Sequence, residues 1–117
     1  MLSYNGLVFD PSMRCIRQPD GGEITFTRQE RALLLELTRR PGAIVSREEL
    51  AEVLSQTGRS AGVRNVDFLV NRLRQRLGDN ARAPRFVGTQ YGEGYVWIAR
   101  ADPVSLDAYI LVGPVRG

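Results

Sequence analysis

RNVDFLVNRLRQRL, residues 64–77, is followed after a short loop by FVGTQYGEGYVW, residues 86–97. With Val66 at zero on a helical wheel and about 100° per residue, Leu69, Val70, Leu73 and Leu77 fall within about 60° of it. That spacing predicts a helix from about Val63 to Leu77, apolar along one stripe, with Gly78 as its C-terminal stop. The opposite side carries Arg64, Phe68, Asn71, Arg72 and Gln75, with Arg74 and Arg76 on the flanks. The second segment reads as two short strands, FVGTQY and GYVWIA, paired across Gly92-Glu93-Gly94. Glycine there permits a tight turn close to another backbone.

Arginine, asparagine and glutamine are the side chains that make paired hydrogen bonds to guanine and adenine edges. A basic helix beside a hairpin therefore suits entry into a DNA groove, with the hairpin steadying the domain on the flanking backbone. Arg72, Arg74 and Arg76 are assigned to phosphates, which position a protein on duplex DNA without reading its sequence. Phe68 is out of place on a merely solvated face: it either meets a thymine methyl or packs under the preceding loop. Asp67 either pairs with a neighbouring arginine or is solvated. Thr89 and Gln90 suit a phosphate or a minor groove, whereas Tyr95 and Trp97 are assigned to the core.

The distribution of charge points the same way. Residues 59–85 hold seven arginines against Asp67 and Asp79, a net charge of +5, while the segments before and after each carry −1. A near-neutral body with one basic segment is the footprint of a polyanion-binding surface, although a solvated helix face gives the same count. All 16 basic residues are arginine. With no histidine and the single Cys15, zinc sites of the Cys/His type and Ser-His-Asp or Cys-His catalytic devices are excluded. Cys15 reads as a small half-buried filler in a strand. No metal or cofactor is expected. No apolar run approaches the roughly 18 residues of a membrane span, and the N-terminus has no signal pattern, so a cytoplasmic location is the default.

The whole chain of 117 residues fits one domain. LVF, MRCIRQ and EITF read as strands separated by Asp10-Pro11-Ser12 and Pro19-Asp20-Gly21-Gly22, a small antiparallel sheet. Thr27-Arg28-Gln29-Glu30 is a capping box, and a helix follows with Leu33, Leu34 and Leu37 inward, stopped near Arg40 by Pro41-Gly42. Ser46-Arg47-Glu48-Glu49 is a second capping box, opening a short helix to about Leu54 with Leu50, Val53 and Leu54 inward. Residues 56–63 read as loop. Two capped helices this close form a helix-turn-helix-like unit.

Together these segments resemble the OmpR/PhoB-type winged-helix DNA-binding domain over about residues 5–99. TRQERALLLELTRRPGAIVSREEL is similar to that family's first two helices, RNVDFLVNRLRQRLGD to its recognition helix, and FVGTQYGEGYVW to its wing. The resemblance implies an α+β fold: a winged helix-turn-helix with an N-terminal antiparallel sheet, three helices and a C-terminal β-hairpin wing. It implies a third helix in the major groove and a wing on the adjacent minor groove. The family's contacting positions fall on Arg64, Asn65, Phe68, Leu69, Asn71, Arg72 and Arg74, and on Thr89 and Tyr91 in the wing. Gln75, Arg76 and Gln90 complete the expected DNA-binding set from the residues alone. Leu69 stands where relatives often carry a polar residue, Asn71 where arginine is frequent, and Tyr91 where the wing usually has arginine.

The expected function is a sequence-specific double-stranded DNA-binding transcriptional regulator with no enzymatic activity, two copies per site. RNA polymerase is a further partner class. The alternatives are a protein-interaction winged helix, or the DNA-binding part of a larger regulator of ToxR/CadC-like or two-component type. The domain is expected to span residues 1–100. Residues 101–117, with an apolar β-prone run from Ala108 to Val112, read as an extension that adds a strand or begins a missing segment.

Overall fold

The computed structural model describes residues 2–58 and 63–102, apart from the side chains of Leu2, Val63 and Arg64. Four short strands, β1 (Leu2–Tyr4), β2 (Leu7–Phe9), β3 (Cys15–Arg17) and β4 (Glu23–Thr25), form an antiparallel meander. Three helices follow: α1 (Arg28–Arg39), α2 (Arg47–Ser55) and α3 (Val63–Leu77). Between α1 and α2 lies β5 (Ile44–Val45), and after α3 come β6 (Val87–Gln90) and β7 (Gly94–Trp97). These three strands make a second antiparallel sheet in the order β5-β7-β6.

Both predicted capping boxes form. Thr27 Oγ1 accepts the Glu30 N–H at 3.1 Å and Glu30 Oε1 accepts the Thr27 N–H at 2.9 Å. Ser46 and Glu49 repeat the exchange at 3.0 and 3.2 Å. These bonds satisfy N–H groups that have no partner inside a helix, and so fix where each helix begins. Leu33, Leu34, Leu37, Leu50 and Leu54 are fully buried with Val66, Val70 and Leu73 of α3, as the wheel requires. Val53, assigned inward, is only half-buried.

The two sheets meet through aromatic rings. Trp97 packs edge-on against Tyr4 and Phe9, with centroids 5.2 and 6.0 Å apart, and lies 5.8 Å from Phe86. Such edge-to-face pairs suit the quadrupoles of the rings. Trp97 and Tyr95 are core, as expected from their alternation with Val96.

Two strands escape the sequence pattern. β1 is three residues long, and the signal for its hairpin is the Asn5-Gly6 dipeptide, both residues at positive φ (50° and 84°). β5 has two residues, too few for any periodicity, and exists only through its pairing with β7. Ala101 and Asp102 also join the sheet side: Ala101 bridges Tyr4, and Asp102 N–H donates to Ser3 O at 2.6 Å. The Asp102 carboxylate accepts Ser3 Oγ–H at 2.5 Å, Gly6 N–H at 3.0 Å and Asn5 N–H at 3.1 Å. The Ser3 and Gly6 bonds lead in holding this carboxyl below its usual range. The predicted run 108–112 and residues 59–62 of the predicted loop lie outside the described residues.

Candidate nucleic-acid interface

The outward row of α3 begins with half-buried Asn65 and continues through exposed Phe68, Asn71, Arg72 and Gln75. The side chain of Arg64 lies outside the described residues. Phe68 is 57% exposed, and the Arg72 guanidinium lies 6.0 Å from its ring centroid. A cation over an aromatic face is held there by the ring quadrupole, so Phe68 supports Arg72. In the wing, Gln90 is exposed, Thr89 is half-buried and Tyr91 at the tip is 83% exposed.

Three residues expected to touch DNA are placed elsewhere. Leu69 is 6% exposed and belongs to the core, where its wheel position next to Val66 puts it. Arg74 is 5% exposed. Its Nε and Nη2 donate to Val87 O at 3.1 and 2.8 Å, and Nη2 donates to Thr89 Oγ1 at 2.6 Å. A buried guanidinium persists only when its donors are met in this way. Arg74 is thus the joint between α3 and β6, with its Nε and Nη2 donors directed into the fold and away from a phosphate, and it occupies part of the outer edge of β6. Arg76 turns to the opposite side of the domain. Its Nε lies 3.4 Å from Oε1 of buried Glu30, and its Nη2 donates to Thr25 O. The wheel placed Arg74 and Arg76 on the flanks of the polar face, and long side chains on a flank reach whichever acceptors are near.

Asp67 resolves in favour of pairing, with a partner from another element. Its Oδ1 accepts Arg47 Nε–H of α2 at 2.7 Å and Tyr95 Oη–H of β7 at 2.5 Å. Burial pushes the Asp67 carboxyl up, but the bonds from Arg47 and Tyr95, together with the Arg47 charge, outweigh it and hold the group below the ordinary carboxylate range. Tyr95 responds in the opposite sense: burial first, then the bond to Asp67, pushes its phenol up to about 12. The Arg47 and Arg74 guanidinium groups lie 5.7 and 5.5 Å from the Tyr95 ring centroid. One polar network therefore ties α2, α3 and the wing. Arg47 is the member that sequence reasoning missed, since nothing in its spacing links it to Asp67 twenty residues later.

A depressed carboxyl contributes stability above its unfolded pKa, and that contribution is lost as pH falls through the lower folded value. Asp67→Asn is therefore expected to be less stable than the parent near neutrality, with the gap closing as pH falls below about 4. Urea midpoints measured from pH 6 down to 2 check this; parallel curves would show that the Asp67 charge does not stabilise the fold.

The loop that delivers the wing is organised by Asp79, which follows Gly78 (φ +71°). Its carboxylate accepts the N–H groups of Arg85, Phe86 and Val87 at 2.6, 3.1 and 2.9 Å. At the wing tip Glu93 N–H donates to Gln90 O at 2.9 Å, and Gln90 pairs with Gly94 across the turn. Gly94 has φ +155°, and a Cβ there would overlap the Val45 carbonyl oxygen and lie 2.8 and 2.9 Å from Val45 C and Ser46 Cα. β7 and β5 approach this closely only because residue 94 has no side chain.

Three helices with a hairpin anchored on the third define a winged-helix domain. Residues 21–97 match the family described as the C-terminal domain of transcriptional regulatory proteins. The transcriptional regulatory protein AfsQ1 of Streptomyces coelicolor is 36% identical over 101 residues, covering 86% of this chain and 43% of that protein. The RstA DNA-binding domain of Klebsiella pneumoniae, solved in complex with its RstA box, superposes with a TM-score of 0.67 at 30% identity, over 82% of this chain and 94% of that one. The DNA-binding domain of Escherichia coli CadC, at 19% identity and a TM-score of 0.71 over 88% of this chain and 95% of that one, shares the fold. The chain belongs to the OmpR/PhoB-type family of transcriptional regulator C-terminal domains. It spans about two fifths of the length of the curated relatives it matches. Among the described residues no helix is long and apolar enough to cross a membrane.

Proposed function

We propose that this domain is a sequence-specific reader of double-stranded DNA in a transcriptional regulator, with α3 in the major groove and the hairpin 86–98 on the neighbouring minor groove. The carrying observation is the row Asn65, Phe68, Asn71, Arg72 and Gln75 on α3, which is free of the core while the arginines beside it are held within the fold. Arg64, Asn71 and Gln75 are the base readers. Arg72, steadied by Phe68, is the phosphate contact, and Thr89, Gln90 and Tyr91 serve the wing. The domain acts in the cytoplasm, catalyses no reaction, and binds two copies to a site; RNA polymerase is its further protein partner.

The reading predicts that affinity falls steeply with salt, because arginines on phosphates displace condensed counterions. Retention of labelled genomic fragments, with sequencing of those bound, at about 0.15 M salt and at several concentrations around it, tests both parts. Enrichment of a few sites with a repeated half-site, and a linear fall of log affinity with log salt, is the expected result. Absence of DNA retention would transfer the α3 face to a protein partner.

A further inference from the structure

Arg74 touches one of the residues assigned above to reading bases. Its Nη1 donates to Asn71 Oδ1 at 3.3 Å, while its Nε and Nη2 donate to Val87 O and Thr89 Oγ1. A guanidinium has donors only and no acceptor. The Asn71 carboxamide must therefore turn its oxygen toward Arg74, since the flipped amide would set NH2 against the guanidinium N–H groups. Arg74 is buried and pinned from the wing side, so it does not swing away unless the wing is released. Asn71 itself is exposed. One of the two lone pairs of its oxygen is taken by Arg74, while both N–H groups of Nδ2 are free to point outward.

We propose that Arg74 is a specificity-determining residue: by engaging Asn71 Oδ1 it makes Asn71 a donor toward DNA and selects guanine over adenine at the base Asn71 reaches. In the major groove guanine shows two adjacent acceptors, N7 and O6, whereas adenine shows the N7 acceptor beside an N6 donor. An unrestrained asparagine matches adenine with two bonds, NH2 to N7 and oxygen to the N6 amino group. With Arg74 on that oxygen, the N6 amino group is left a single lone pair, beside a guanidinium positive charge that repels its own N–H dipole. Guanine is matched by the amide NH2 without using the oxygen. Arg74 acts here through Asn71 and makes no DNA contact of its own. The inference rests on α3 being a DNA-reading helix.

The test selects bound duplexes from a randomised library, using the full chain as wild type, Asn71→Ala, Arg74→Leu and Thr89→Val. The position whose preference flattens in Asn71→Ala is the one that Asn71 reads. In the wild type guanine is expected there over adenine by at least about fivefold. Arg74→Leu is expected to bring that ratio below about twofold or reverse it, because the oxygen is released to accept from adenine N6. Thr89→Val keeps Arg74 on Val87 O and is expected to weaken binding throughout with the guanine preference intact. An adenine preference in the wild type overturns the inference. So does an Arg74→Leu protein that weakens all sequences equally, or an Asn71→Ala protein in which no position flattens. Should Arg74→Leu fail to fold, the wild-type preference and its survival in Thr89→Val decide. A wild-type protein that selects no sequence instead overturns the reading of α3 on which the inference stands.

Discussion

Gly94→Ala is expected to destabilise the domain by about 3 kcal/mol or more, from forced overpacking together with backbone strain. At about 4–8 °C per kcal/mol for a domain of this size, the melting temperature should fall by more than about 10 °C. The new methyl would overlap the backbone at Val45 and Ser46, both parts of the frame that other elements depend on. Val45 belongs to β5 and pairs with Tyr95, and Ser46 is the N-cap of α2. Neither is the free end of a flexible side chain, so the strain passes into strand pairing and into the start of the helix that carries Arg47. Gly92 is the internal control. It has φ +79°, yet a Cβ there meets nothing within 4 Å. Gly92→Ala is left with only the left-handed backbone penalty, about 1 kcal/mol. Urea unfolding of both variants followed by circular dichroism separates the two mechanisms; equal losses would show that the crossing of β5 and β7 relaxes freely.

The second large effect concerns binding. Asn71→Ala is expected to weaken the best natural site by about 10- to 100-fold, the range of a good base contact, while leaving affinity for unrelated DNA nearly unchanged. Arg72→Ala is expected to weaken all sequences together and to reduce the salt slope by about one. Both side chains are exposed, and Asn71 meets the buried network only through one 3.3 Å bond from Arg74, so the fold is expected to hold and the two losses to reflect contacts with the duplex. Titrations of each variant against specific and random duplexes at several salt concentrations distinguish them. The division of labour on α3 fails if Asn71→Ala lowers random and specific binding by the same factor, or if Arg72→Ala leaves the salt slope unchanged.

The helices were legible because each carries its own signals: two capping boxes, a glycine stop, and leucines at helical spacing on a chain long enough to repeat them. The buried row of α3 follows from that spacing to the residue, and Leu69 belongs with it. β1 and β5 were not legible, because strands of three and two residues have no period and owe their existence to partners far along the chain. The arginines show the same limit in the site. A wheel gives each a direction, but a guanidinium on several single bonds goes where acceptors lie. The acceptors for Arg74 are on β6 and those for Arg76 are on Glu30 and Thr25. Positive charge in sequence therefore overstated the number of arginines facing outward. For Asp67 the sequence left pairing and solvation both open and could not name the partner, since Arg47 meets it only after α2 and α3 have packed.

The Asp102 carboxylate bears on how load passes through the molecule. It grips Ser3, Asn5 and Gly6, while Ala101 bridges Tyr4, so the two ends of the described fold are fastened to each other at β1. Tension applied through either end is taken up first by this short bridge and its few hydrogen bonds, at the opposite side of the sheet order from β4 and away from the α3 row. The relative position of α3 and the hairpin is set separately, by Arg74. The fastening of the two ends and the joint between α3 and the hairpin are thus separate sets of bonds, and a pull on the ends meets the first set before the second.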